Sequence, residues 1–405
     1  MDTYLLDWAN LLLRWLHIVT AIAWVGSSFY FVWLDNHLVR PRSPDLLEKG
    51  VDGALWAVHG GGFYNPQKYM LAPPKIHTEL HWFYWESYST WLSGFALFTV
   101  LYLWNAGSFL IDASVFAWTP LAAGSTALVF LAAFWLVYDG LCRFFGERER
   151  GELIVGALVA LFVVLASWAA CQLFAGRAAF LLVGAMVATA MSANVFFVII
   201  PGQRKVVAAM MAGQPVPAIH GKRGKQRSVH NTYFTLPVLV AMLSNHYGWL
   251  YQGRHNWLVL VLLMVAGALI RHFFVVRHKA HVAGVKPPWS YALAGVVIIA
   301  MLGVLLAPEP PPAASKGALN DAQPAAANLA AVQAIVEQRC VLCHNAQLQQ
   351  KNVALHTPEL IRQHAFAVYQ QAAVLRLMPL NNATQITDAE RLTIRRWYEA
   401  GANAQ

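Results

Sequence analysis

RWLHIVTAIAWVGSSFYFVWL, Arg14 to Leu34, decides the fold. Within an apolar segment running from Leu11 to Leu34 it is long enough to cross a bilayer, whose roughly 30 Å hydrocarbon core takes about 20 helical residues. Two of its residues are ones a lipid-facing helix avoids, Arg14 and His17. Three apart, they share a face. Ionisable groups at membrane depth are costly and mark candidate function; the plainer alternative is a helix-end Arg snorkelling outward beside a hydrogen-bonded core His.

Seven more segments match the first: Tyr88 to Trp104, Ala113 to Tyr138, Leu153 to Leu173, Ala178 to Ile200, Thr232 to Leu250, Trp257 to Val276 and Trp289 to Leu306. A chain that is 58% hydrophobic and 12% charged is too apolar to be soluble at this size. The expectation is an all-α protein, a polytopic eight-helix transmembrane bundle over residues 1–307. The N-terminus, MDTYLLDWANLL, has no basic n-region and no small-residue cleavage site, so the first span reads as a retained anchor. Cys142 and Cys171, inside spans three and four, read as small apolar fillers.

Beyond the bundle, APEPPPAASKGALNDAQPAAAN is rich in Pro and Ala and reads as a semi-rigid tether over 308–327. Residues 328–405 follow, with Cys340-Val341-Leu342-Cys343-His344. Cys-x-x-Cys-His is the attachment pattern of c-type haem: each thiol adds across a vinyl group and the His ligates the iron. A zinc or redox Cys-x-x-Cys is the alternative, but zinc wants a second ligand pair. Met378, in LRLMPLNN, is the candidate sixth ligand, since His/Met ligation suits electron transfer; His356 and His364 are its rivals. ERLTIRRWYEAGA resembles the closing helix of class I cytochromes c, with Leu392 and Trp397 expected toward the haem edge. The C-terminal part is thus expected to be a small class I-like cytochrome c domain.

Eight spans put both termini on one side, and c-type haem is attached outside the bacterial cytoplasm, so both termini and the cytochrome are expected in the periplasm. Loop charge agrees. Arg143, Arg148, Arg150, Arg204, Lys205, Lys222, Arg223, Lys225 and Arg227 fall on one side among others, against Arg177 and Arg254 on the other. That bias accounts for the net charge of +9 and removes the need for a nucleic-acid partner. The location implied is the inner membrane.

The first long loop holds HGGGFY, where Gly60-Gly61-Gly62 is either a turn or a ligand cradle, and His77-x-x-x-His81. A helix starting after Pro73-Pro74 would put both imidazoles on one face. A second polar stretch, SVHNTYFTLPVLVAMLSNHY, carries His230, Asn231, Asn245 and His246, and span seven carries Arg271 and His272. At roughly 1.5 Å per residue, His17 lies about 9 Å below one membrane face and His246 about 21 Å above the other. At matching depth, these two could ligate a non-covalent haem b, with Arg14 near its propionates. His77, His81, His230, Asn231, Arg271 and His272 gather instead at the basic face as a candidate catalytic site.

HGGGFY, LHWFYWESYSTWLSGF and HNTYFTLPVLVAMLSNHY, fused through a Pro-rich linker to Cys-x-x-Cys-His, resemble the membrane-bound bacterial urate oxidase (urate hydroxylase) coupled to cytochrome c. The resemblance spans nearly the whole chain. It implies oxidation of urate to 5-hydroxyisourate in purine catabolism without hydrogen peroxide, with electrons passing to haem c and on to a terminal oxidase or soluble cytochrome c. The residues carried over are Cys340, Cys343, His344 and Met378. Urate is a flat monoanion near neutral pH, which suits Arg271, Asn231, a His base and the aromatic walls of Trp82 or Trp85. Two other classes remain: a quinol-oxidising electron-transfer subunit feeding the fused cytochrome, and a transporter with an attached redox sensor.

Overall fold

A computed structural model describes residues 2–69, 73, 76–251, 253–307, 329–350 and 353–402. The expected tether, 308–327, lies outside these, as does Pro74. The chain is all-α apart from four short strands. α1 runs Asp2–His37 and is followed by the short α2, Pro44–Glu48. α3, Trp85–Phe98, continues through a π turn, Thr99–Leu103, and α4, Ala106–Phe109, is one turn. α5 is Pro120–Phe145 and α6 Gly151–Leu173. α7, Gly176–Ala193, passes through a second π turn, Asn194–Ile199, into α8, Ile200–Met211. α9 is Ala218–Leu243, α10 Asn256–Val282 and α11 Trp289–Leu305.

Helices therefore lie over all the expected segments, and among the described residues five are long and apolar enough to cross a membrane: those at Tyr4–His37, Pro120–Phe145, Gly151–Leu173, Gly176–Met211 and Asn256–Val282. Three boundaries differ from expectation. Ala113 to Thr119 is loop, because Pro120 opens α5 and the Thr119 hydroxyl accepts from Ala122 N–H as its cap; the helix then runs on to Phe145, so Asp139 is interior and buried. α9 stops at Leu243 and gives way to 3₁₀ turns. His246 is consequently outside the helix and exposed, and the depth that matched it to His17 assumed helix through Leu250. Third, Arg227 is no loop charge: it lies within α9 at 2% exposure.

The helix at the centre is α7. Ala178, Ala179, Leu182, Val183, Met186, Val187 and Ala190 on it are all buried, and a side chain at Gly184 would meet Ala241 of α9 at 2.9 Å. Lipid tails are as apolar as the core, so close approach through small residues, not water exclusion, holds such helices together. Around α7 stand α5, α6, α9 and α10, while α1 packs chiefly on α3 and α11 on α10.

The loop after α2 forms two hairpin-like pairs, β1 Gly53–Ala54 with β4 Gln67–Lys68, and β2 Ala57–His59 with β3 Gly62–Tyr64. Gly60 (φ 57°) and Gly61 (φ 80°) are the two-residue turn of the inner hairpin, a conformation that glycine adopts without strain. The triple glycine is a turn, not a cradle. His77 and His81 are on no helix; both are exposed in the loop before α3, and His81 packs edge-on against Phe83. With Trp85 opening α3, the helix begins after both of them.

The C-terminal part has its own core. α12, Leu329–Arg339, and α15, Asp388–Glu399, pack together over α13, Pro358–Gln363, and α14, Ala365–Val368. Val332, Val336, Leu355, Ile361, Ile394 and Trp397 form a cluster separate from that of the long helices. α15 opens with a capping box, Thr387 and Glu390 satisfying each other's backbone N–H groups, an arrangement that contributes on the order of 1 kcal/mol. Trp397 is buried as expected, but Leu392 points outward, because α15 turns Arg391, Ile394 and Trp397 inward.

Candidate functional site

A buried polar network threads α5, α7 and α9. Its charge centre is Asp139, which accepts from Arg227 Nη2 at 2.7 Å and from Arg143 Nε at 2.6 Å. Arg227 Nη1 donates to Asn194 Oδ1 at 3.3 Å, and its guanidinium lies 4.8 Å from the Tyr138 ring centroid. Asn194 Nδ2 donates to Tyr138 Oη and to Asn231 Oδ1, both at 3.0 Å, and Asn231 Nδ2 donates to Met191 O. Asn194 sits at the start of the π turn, a geometry frequent at functional sites. Tyr138 Oη and His230 Nδ1 share a hydrogen bond of 2.8 Å, and His230 Nε2 lies 3.2 Å from Glu152 Oε2.

Removing one partner of a buried ion pair leaves the other uncompensated, which costs about 3 to 5 kcal/mol. Asp139→Leu is therefore expected to yield little folded protein by detergent size exclusion, whereas Asp139→Leu combined with Arg227→Leu recovers it. Equal yields from the single and double variants would show that the pair does not hold these helices.

Arg271, on α10, is buried at 6% exposure with no carboxylate on it. Its Nε donates to Thr232 O at 3.3 Å, its guanidinium stacks 3.8 Å from the Phe29 ring centroid, and its Nη2 has no partner among the described residues. His272, next along, turns the other way, to the Tyr233 hydroxyl at 2.8 Å and the Tyr291 ring. The expected constellation is thus divided. His230 faces α5 and α6, Asn231 faces α7, Arg271 faces α1, His272 faces α11, and His77 and His81 lie in the exposed loop. Of the six, Arg271 keeps a buried donor with no partner.

Tyr138, Glu152, Asn194 and Arg227 carry the network and were not singled out by sequence. The signal was present for one of them: Asn194 is a strongly polar residue in the middle of an apolar run, MSANVFF.

At the opposite helix ends, His17 Nδ1 lies 3.1 Å from Thr90 O and 3.2 Å from Ser93 Oγ. Donation to the carbonyl fixes the tautomer and leaves Nε2 with its lone pair. Gly94 makes room for the ring, since a Cβ there would lie 2.8 Å from His17 Cε1. Arg14 pairs with Asn10 Oδ1 at 2.9 Å. Near them Tyr102 Oη and Arg177 Nε both donate to Asn245 Oδ1.

In the C-terminal domain the residues present fit a covalently attached haem. His344 Nδ1 donates to Val353 O at 3.0 Å, which presents Nε2 for a metal. Cys343 is exposed, and burial pushes the Cys340 thiol up to about 11. A neutral sulfur, thiol or thioether, suits that surrounding. Among the described residues no three His, Cys, Asp or Glu side chains come together as a metal site. Trp397 Nε1 is buried without a partner. Met378 is half-buried, its carbonyl held by Arg391 Nη1 at 2.9 Å, and the same guanidinium binds Ala372 O and Asn382 Oδ1.

The two parts meet. α4 touches the turn Leu380–Asn382, and a cleft of about 750 Å3 lies between them, lined by Arg177, Asn245 and Tyr251 on one side and Arg376, Met378 and Arg391 on the other. Met378 thus lies where the helix ends and the Cys-x-x-Cys-His domain face each other.

No curated protein and no solved structure matches the chain. A family model does, the Urate oxidase N-terminal model, over residues 3–307. That match runs from the first turn of α1 to the end of α11 and takes in every residue of the network, Arg271 and His17. On this match over most of its length, the chain belongs to the Urate oxidase N-terminal family.

Proposed function

We propose that this protein is a membrane-bound urate oxidase that converts urate to 5-hydroxyisourate and delivers the electrons to a haem c on its own C-terminal domain, and from there to a respiratory acceptor. The family match over 3–307 carries the reading; the eight-span bundle, the inner-membrane location and the periplasmic termini belong to the proposal. Cys340 and Cys343 would hold the haem by thioethers, His344 and Met378 would bind its iron, and the haem would supply a one-electron acceptor.

The chain's own residues bind and orient. Urate is a monoanion, and a guanidinium without a carboxylate in the membrane calls for an anion. Arg271, with its spare Nη2 donor and the Phe29 ring beside it, is where the substrate is held in this reading. Urate gives up two electrons and two protons, and water adds at C5.

The test is anaerobic addition of urate to the purified protein, with the reduced haem c spectrum as readout. Reduction by quinol but not by urate would favour a quinol-oxidising electron-transfer subunit instead. Arg271→Gln is expected to weaken urate binding by about 1.5 to 3 kcal/mol, the worth of a hydrogen bond to a charged group, measured by calorimetry. Unchanged affinity in folded protein would move the substrate elsewhere.

A further inference from the structure

The seam of α6, α9 and α10 leaves a groove of about 360 Å3, open along one side. Val155, Val159, Val163, Pro237, Val261 and Met264 are among its walls. Its titratable members are Tyr138, His230, Glu152 and Tyr233. Three of these are bonded in series, Tyr138 Oη to His230 Nδ1 and His230 Nε2 to Glu152 Oε2. Along the series exposure rises, from 13% for the His230 side chain to 61% for Glu152 at the first turn of α6. Gln226 Nε2 holds the other Glu152 oxygen at 2.8 Å. The hydrogen-bonded series therefore connects the end of an apolar groove with water, and it can shift protons in either direction as the His230 tautomer changes.

We propose that this groove binds the ring of a membrane quinone, and that the quinone is a second acceptor for urate's electrons beside the haem c route. A saturated lipid tail would fill the walls but has no use for a water-linked Tyr-His-Glu series at one end. A quinone needs such a path, because its reduction takes up two protons with two electrons. The volume suits a quinone ring with its first isoprenoid units. α9 and α10 carry Arg271 toward α1 and the groove toward α6, so the two sites stand on opposite sides of one helix pair, about 10 Å across. The Tyr233–His272 hydrogen bond ties the two helices at that level. The overall change balances: urate, water and quinone give 5-hydroxyisourate and quinol. Two hydrogens leave the purine and its adduct water, and the two quinone oxygens gain them.

The binding rests on the groove alone, whereas the redox step rests on the urate reading, and the experiment separates them. Purified full-length protein is labelled with a photoreactive azidoquinone in the absence of urate, competed by decylubiquinone or by phospholipid. Label is expected on peptides of α6, α9 and α10, removed by decylubiquinone and not by phospholipid. Val159→Trp, which fills the groove wall, is expected to lower labelling at least tenfold while urate binding stays as in the parent. Labelling elsewhere, or equal competition by phospholipid, would overturn the site. Anaerobic urate with decylubiquinone is then followed optically, and one quinol is expected per urate consumed, far beyond the haem equivalents present. Quinol that stops at haem equivalents, in protein whose haem urate still reduces, would overturn the quinone step. Intact labelling with no urate oxidation by any acceptor would overturn the urate reading and leave the quinone site supported.

Discussion

Replacing Cys340 and Cys343 together by Ser is expected to abolish covalently attached haem, read as loss of haem staining on a denaturing gel, and with it all urate-dependent change in the c-type spectrum. Each sulfur can form one thioether. Cys340 sits at the end of α12 against the domain core, and Cys343 is exposed one turn on, its N–H bonded to Cys340 O at 3.1 Å. Ser in these places keeps the turn and removes only the reacting atom. The variant is expected to fold, because Ser is close to Cys in size and the fully buried Val332, Val336, Ile394 and Trp397 are unchanged. Haem staining that survives the double change would end the attachment assignment. Met378→Ala, in contrast, is expected to keep the stain while lowering the reduction potential and altering the far-red charge-transfer band. An unchanged band would pass the sixth position to His356 or His364.

How much of this was legible in sequence depended on whether a feature is local. The spanning helices are, since about 20 apolar residues announce themselves, and so is Cys-x-x-Cys-His. Helix ends were less so. Periodicity carried the sixth span through Asn245 and His246, but the chain leaves the helix at Ser244 in 3₁₀ turns, with Gly248 close behind. His77 and His81 had the right spacing for a shared helix face and no helix under them. The polar network was the least legible, because it exists only once α5, α6, α7 and α9 are together. Arg227 reads as one more charge in KRGKQRS until Asp139 of another helix is beside it. Arg271 could be singled out as a cation within an apolar run; that its Nη2 lacks a partner could not.

The relay between the two ends of the membrane domain makes the last large effect. In the proposed topology a purine held at Arg271 and a haem beyond the opposite face would be separated by most of a roughly 30 Å core, too far for one efficient electron hop. His17 offers the ligand such a relay needs: it is within α1, its Nδ1 is taken by Thr90 and Ser93, and its Nε2 is left for a metal. Arg14, one turn nearer the end, is held by Asn10 and pairs with no carboxylate among the described residues, which suits a propionate. A pyridine haemochrome assay on intact protein is therefore expected to find b-type haem beside c-type. His17→Ala is expected to remove the b signal, leaving haem c attached but no longer reduced by urate. His246→Ala tests the second ligand; a b signal that survives it would place that ligand elsewhere, in keeping with the exposed position of His246. Fully active protein containing haem c alone would remove the relay. The electrons would then cross on the lipid-borne carrier proposed above, or the purine would have to sit in the cleft of Arg177, Arg376 and Arg391, where Met378 is already at hand.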